Sequence, residues 1–243
     1  MRIVAIIQAR MNSNRLPGKV LEDICGKSML SRVVQRVKCA TSLDKVVVAT
    51  SDTIVDDSVE KECHKLGVSV FRGSEDDVLD RFFQAAFVHK AEVGVRITAD
   101  CPLIEPTIID KVVQAFLSSD VDYASNTLIR TYPRGLDVEV ISLLALTTAW
   151  KNSTKLYHRA HVTPYIYENA EVFKLLPVTN SSDWSKYRWT VDTPEDLQFV
   201  RRVYEILGAN SLFRWTDVLK LCEREQSIVE LNCHVKQKPL EKS

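Results

Sequence analysis

The chain has 243 residues, enough for one large domain or two small ones. Its 45% apolar and 26% charged residues are those of an ordinary globular protein, and 32 Lys plus Arg against 32 Asp plus Glu argue against a nucleic-acid coat or a membrane-surface protein. No run reaches the length of a membrane span, no signal peptide opens the chain, and six scattered cysteines without a C-x-x-C pair lack zinc spacing, so free thiols in a cytoplasmic protein are expected.

The apolar, β-branched run Ile3–Ile7 predicts a buried strand. It empties into Gln8-Ala9-Arg10-Met11-Asn12-Ser13-Asn14-Arg15-Leu16-Pro17-Gly18-Lys19, a turn-rich loop with three cations. A loop of this kind at the carboxyl edge of a sheet is where open α/β folds bind ligands. Arg10, Arg15 and Lys19 would suit a triphosphate; a solvated basic loop is the plain alternative. From Arg2 to Lys38 eight cations face only Glu22 and Asp23, which points to an anionic ligand near the N-terminal edge.

Met29, Leu30, Val33, Val34 and Val37 predict a helix from Ser28 to about Ala40, with Ser28 as its cap. Lys45–Thr50 reads as a second strand, Ser51-Asp52-Thr53 as the start of a helix to Leu66, and Gly67 as its stop. Val68–Phe71 is a short third strand. Ser74–Asp77 opens a further helix, Gly94–Thr98 is a fourth strand, and Pro106 begins a helix to about Ser118. This alternation predicts a parallel sheet covered on both faces. Further on, Asp122–Leu128, Leu136–Ile141, Val172–Val178 and Tyr187–Val191 read as strands. Ser142 to about Trp150 and Tyr157–Glu168 read as helices. Thr193-Pro194-Glu195-Asp196 starts a clear helix to Leu207, stopped at Gly208. The expected organisation is one domain over residues 1–225 with an embellished second half. Residues 226–243 form an irregular tail whose last seven residues are loose.

Asp100 and Asp192 each end a predicted strand and are each followed by a proline two residues on. Each alone reads as a cap for the following turn. On one parallel sheet they would share an edge with the basic loop, and two carboxylates beside a triphosphate suit Mg²⁺. His158 and His161 stand three apart on a predicted helix but have no acidic third ligand, so they read as helix surface. Cys101 has no adjacent base and reads as a buried bystander. The four tryptophans read as packing.

The segments Ile6–Arg10 and Arg15–Lys19 resemble the opening motif of the cytidylyltransferases that activate acidic sugars, the CMP-sialate and CMP-Kdo synthetases. The likeness is nearest to the spore-coat polysaccharide biosynthesis protein F branch. Arg96–Ile104, Pro133–Val140, His161–Ile166 and Arg188–Leu197 resemble the same branch, which often carries Glu where this chain has Ala160. The resemblance implies an α/β three-layer sandwich with a mostly parallel central sheet, of the nucleotide-diphospho-sugar transferase type. It implies a homodimer transferring CMP from CTP to an acidic small-molecule acceptor for surface polysaccharide assembly, with Mg²⁺ as cofactor. By position it places Gln8, Ala9, Arg10, Asn12, Ser13, Arg15, Lys19 and Asp100 at the nucleotide, with Arg10, Lys19 and Asp100 catalytic. Asp100 and Asp192 fall at the metal, and Arg134, Asp137 and Glu139 at the acceptor. Arg159 and His161 are added as cations that could meet an acidic acceptor. Two rivals remain: a nucleotidyltransferase for another nucleotide or a phosphorylated acceptor, and a glycosyltransferase or nucleotide-sugar binding protein on the same fold. Asp120-Val121-Asp122 has the D-x-D spacing of that last class, but it precedes a strand instead of ending one.

Overall fold

The computed structural model describes residues 1–239. The β-branched stretches become β1 (Ile3–Gln8), β2 (Lys45–Ser51), β3 (Ser69–Gly73) and β4 (Val93–Thr98), which run parallel in the order β3-β2-β1-β4. The sheet continues through β6 (Glu139–Ser142), antiparallel to β4, and β5 (Tyr123–Ser125), antiparallel to β6. It ends on β7 (Leu175–Pro177), parallel to β5. The mostly parallel topology places the carboxyl ends of β1 to β4 along one edge, where loops bring side chains together.

Helices cover both faces. One face packs α1 (Met29–Val37), α2 (Asp57–Lys65), α4 (Pro106–Leu117), α8 (Pro194–Leu207) and α9 (Trp215–Arg224) against alternate sheet residues such as Ile7, Val95 and Ile97. The other packs α3 (Val78–Val88), α5 (Leu143–Asn152) and α7 (Pro164–Tyr167) against Val4, Ile6 and Val47. Each such side chain, fully buried, contributes about 1.5–3 kcal/mol. Helix starts follow their caps: the Ser28 hydroxyl accepts from the Ser31 amide, and Thr193 and Asp196 form a capping box with Pro194 in the first turn.

The second half departs from expectation in ways with physical causes. The helix expected over Tyr157–Glu168 is two short ones, α6 (Leu156–His161) and α7, separated by Val162 at φ 74°. Pro164 supplies no N–H and crowds the residue before it, so one helix cannot pass through. Tyr187–Val191 is extended but forms no strand of the sheet. Its hydrogen bonds go to a loop and a turn: the Arg134 amide to the Tyr187 carbonyl at 3.0 Å, the Trp189 amide to the Arg134 carbonyl at 2.7 Å, and the Val191 amide to the Asp100 carbonyl at 2.8 Å. The strand expected over Asp122–Leu128 stops at Ser125, because the buried Asn126 side chain bonds the Val138 amide and the Leu136 carbonyl and so replaces the ladder. The strand expected from Leu136 accordingly begins at Glu139. Helix α9 and the short α10 (Gln226–Glu230), which buries Ile228, were not expected. Of the seven terminal residues expected to be loose, Gln237 and Lys238 line a pocket, and residues 240–243 lie outside the described residues.

Gly135, at φ 106°, lets the 134–136 turn lie against the backbone of Trp189 and Thr190; an added Cβ would stand 2.6 Å from the Thr190 nitrogen. Gly135→Ala should therefore lose about 2–5 kcal/mol of stability through overpacking and backbone strain. A lowered denaturant midpoint at unchanged m value is the expected reading. A midpoint equal to wild type would show that the turn can move away freely.

Candidate active site

A pocket of about 340 Å³ opens at the carboxyl edge of the sheet, lined from the basic loop, β4, the 187–192 segment and α6. The loop after β1 is closed on itself: the Met11 carbonyl accepts from the Ser13 and Gly18 amides at 2.9 and 2.8 Å. Asp56, buried beyond β2, fixes its outer end by accepting from the Met11 amide at 2.7 Å. Burial would raise the Asp56 pKa, but hydrogen bonds from Ser51, Thr50 and the Met11 amide hold it below the usual carboxylate range.

Lys19 lies at the centre. Its ammonium nitrogen donates to Asp100 Oδ2 at 2.9 Å, Asp192 Oδ1 at 2.9 Å and the Val191 carbonyl at 2.7 Å. An ammonium has three protons, and each of these has an acceptor. Burial works to lower the Lys19 pKa, and the two aspartates more than reverse it. Burial likewise works against ionised Asp100, but Lys19 and the Thr98 hydroxyl hold its pKa down to about 2. Asp192 also takes Arg15 at 2.7 Å and Arg188 at 2.8 Å on its second oxygen.

The cations that remain unpaired occupy two separate places. Arg10 is exposed and makes no hydrogen bond or ion pair among the described residues; it lies near enough to the buried Arg81 to help burial lower that residue's pKa to about 10. Arg134 lines the pocket without a side-chain partner among the described residues. Burial lowers its pKa, and the charges of Arg130 and Arg188 lower it further. Arg10 and Arg134 are therefore two unpaired cations in the wall of the pocket that holds the Lys19-bridged aspartates.

The pocket brings together Gln8, Ala9, Arg10, Ser13, Arg15, Lys19, Asp100, Asp192, Arg134, Asp137 and His161 of the residues expected at a site. Three do not line it. Asn12 turns outward to Glu75 at 2.6 Å. Glu139 is buried beneath the pocket, ion-paired to Arg96 and bonded by the Tyr123 hydroxyl at 2.6 Å. Arg159 is spent on Asp77, the α3 cap, and on the Trp150 carbonyl at 2.6 Å. Lys19 and Arg15, expected at a triphosphate, instead hold carboxylates. The histidines part: His158 is buried against Glu168 at 2.9 Å while His161 faces the pocket, which corrects its reading as mere helix surface. Cys101 is buried, and burial beside Asp100 keeps its thiol well above the ordinary range, so it is protonated. Asp120 is 95% exposed and paired to Lys174, so the D-x-D spacing lies outside the pocket.

Sequence reading missed Arg81, Arg96, Gln237 and Lys238, all of which line the pocket. A charge inside the buried run of β4 was a signal for Arg96, which reaches Gln8 Oε1 at 2.6 Å. The cation excess before residue 38 also overstated the site. Arg32 and Arg36 are buried and bond carbonyls at Ile24, Ile104 and Phe213, where they fasten the fold.

A seven-stranded, mostly parallel sheet with a cation-lined pocket at its carboxyl edge defines an α/β protein of the nucleotidyltransferase fold. The sequence matches the cytidylyltransferase family over residues 4–226, and the chain belongs to that family. It is 34% identical to the spore coat polysaccharide biosynthesis protein SpsF of Bacillus subtilis, over 91% of this chain and 94% of that one. A solved cytidylyltransferase from Leptospira borgpetersenii superposes with a TM-score of 0.92 at 35% identity, covering 98% of this chain and all of that one. A CMP:2-keto-3-deoxy-manno-octonic acid synthetase solved with CTP shares the fold at a TM-score of 0.66 and 20% identity, over 86% of this chain and 100% of that one. No helix of the described residues is long and apolar enough to cross a membrane.

The lowered Asp100 pKa gives a signed expectation. Its ionised form favours folding above the unfolded value of 3.8, and that contribution is lost as pH falls toward about 2. Wild type should exceed Asp100→Asn in stability at neutral pH by about 2 kcal/mol, with the gap closing between pH 4 and pH 2. Denaturant midpoints across that range decide it; a gap independent of pH would detach Asp100 from the ion pair.

Proposed function

We propose that this protein transfers CMP from CTP to an acidic sugar or related acid and releases pyrophosphate, serving surface polysaccharide assembly. The observation that carries the reading is that two unpaired cations, Arg10 and Arg134, line one pocket with the Lys19-bridged Asp100 and Asp192. Arg10, with the amide-rich loop, suits the triphosphate. Arg134 suits the carboxylate of the acceptor. The spore-coat relative and the CTP-bound structural neighbour support the substrate classes by what their names say of those proteins.

In the reaction an acceptor oxygen bonds to the α-phosphorus of CTP while the bond from that phosphorus to the pyrophosphate oxygen breaks. The acceptor hydroxyl releases its proton. Most of the barrier in such a step is charge and positioning. Arg10 neutralises charge on the departing pyrophosphate, and Arg134 holds the acceptor in line. The three protons of Lys19 go to Asp100, Asp192 and the Val191 carbonyl; it keeps the two aspartates together and helps hold Asp100 ionised. Two carboxylates suit Mg²⁺, which takes one or two of them and completes its shell with phosphate oxygens and water, and Lys19, Arg15, Arg188 or Thr98 would yield a carboxylate oxygen to it. Among the described residues no cluster of three or more His, Cys, Asp or Glu offers an all-protein metal cage. Asp100 and Asp192 would hold the ion. Bound there, Mg²⁺ supplies positive charge to phosphate oxygens.

With the four ribonucleoside triphosphates, Mg²⁺ and a panel of sugar acids, pyrophosphate release should be fastest with CTP and stop on adding EDTA. Arg10→Ala should lower turnover about a hundredfold with the fold intact. Release with another nucleotide in preference to CTP would overturn the nucleotide half. CTP turnover on neutral or phosphorylated acceptors alone would overturn the acceptor half.

A further inference from the structure

The chain beyond α10 doubles back over the site. Asn232 is buried, and its side-chain amide donates to the Arg188 carbonyl and to Asp196 Oδ1, each at 2.9 Å. Five residues on, Gln237 Oε1 accepts from Arg188 Nη1 at 2.8 Å. Both ends of this short segment are thus fastened to Arg188, whose guanidinium also grips Asp192 and Asp196. Fastening at two points places Gln237 and Lys238 in the wall of the pocket.

The Lys238 ammonium has no hydrogen bond or ion pair among the described residues, and neither has the Arg134 guanidinium. The Arg134 backbone bridges to that of Arg188, with the Trp189 amide donating to the Arg134 carbonyl at 2.7 Å, and Arg188 is the residue that Gln237 touches. Two cations without a hydrogen-bonded or ion-paired partner among the described residues therefore line the pocket next to residues that Arg188 fastens. Like charges gathered in a partly enclosed pocket repel one another unless an anion lies between them.

We propose that residues 232–238 form a built wall of the acceptor end, and that Lys238 binds the acceptor carboxylate together with Arg134. Arg134 presents a planar fork to two carboxylate oxygens, and Lys238 adds a point charge on a flexible stem. The assignment rests on the cytidylyl-transfer reading and adds to it a residue that closes the acceptor site from the C-terminal segment.

The test uses the full chain as wild type, Lys238→Ala, Lys238→Arg and Gln237→Ala. CTP with Mg²⁺ is titrated calorimetrically first; 2-keto-3-deoxy-manno-octonic acid and pyruvate are then titrated into the CTP-saturated protein. Lys238→Ala should weaken acid binding about tenfold and Lys238→Arg should restore most of it, with CTP affinity within about twofold throughout. Gln237→Ala, which releases the 237–238 end of the segment while Asn232 still holds the other, should shift in the same direction as Lys238→Ala. Unchanged acid affinity in Lys238→Ala overturns the role of the tail and leaves the proposed reaction standing. An equal loss of CTP affinity moves Lys238 to the triphosphate and also overturns it. A wild type that binds CTP but neither acid removes the acidic acceptor and this assignment together; one that does not bind CTP removes the nucleotide reading beneath both.

Discussion

One buried ammonium organises the site. Lys19 joins three parts of the chain that are remote in sequence: the loop after β1, the end of β4 at Asp100, and the extended segment at Val191 and Asp192. Burying a charge is costly unless it is paired and fully hydrogen-bonded, and here all three protons are matched. The aspartate geometry is therefore held by the same interaction that closes the N-terminal loop onto the sheet. Lys19 acts as an internal counter-ion to both aspartates.

Pairing of this kind decides how the cations of the sequence are used. Arg15 and Arg188 hold Asp192, Arg130 makes a two-point pair with Asp137 at 2.6 and 2.8 Å, and Arg159 secures the α3 cap. A guanidinium already matched to a carboxylate has little attraction left for a ligand. Arg10, Arg134 and Lys238 have no such partners among the described residues, and they line the pocket together with the paired Arg15 and Lys19. Charge counting along the chain could not separate the two groups. An arginine in a helix that tethers carbonyls, like Arg36, looks the same in sequence as one that binds substrate.

Much of the fold was legible because it depends on local chemistry. The first four strands, the caps at Ser28 and Thr193, and the proline start of α4 follow from residues near one another in sequence. The edge shared by Arg10, Lys19 and Asp100 follows from parallel topology. What failed depended on distant partners. Tyr187–Val191 has the composition of a strand, yet the Arg134 turn and the Asp100 carbonyl take its hydrogen bonds, so Asp192 reaches the site without a strand to carry it. Glu139 and Arg159 were expected at the acceptor, but each found a closer ion partner in Arg96 or Asp77. Helix α9 had a readable signal in Trp215, Val218, Leu219 and Cys222, spaced for one buried face.

Arg188 shows why the C-terminal segment belongs with the site. A carboxylate held by Lys19 alone could rotate about its Cα–Cβ and Cβ–Cγ bonds. Arg188 removes that freedom for Asp192 by binding its second oxygen, and is itself fixed by a two-point pair to Asp196 at 2.8 and 2.9 Å. Asp196 is fully buried and also caps α8, so the orientation of Asp192 is transmitted from the helix start through Arg188. Gln237 accepts from a fourth of the five guanidinium donors of Arg188. A tail fixed to the residue that fixes a catalytic-edge carboxylate cannot move without disturbing that carboxylate. Its position is therefore set by the same constraint as the site, and a cation carried on it becomes part of the chemistry.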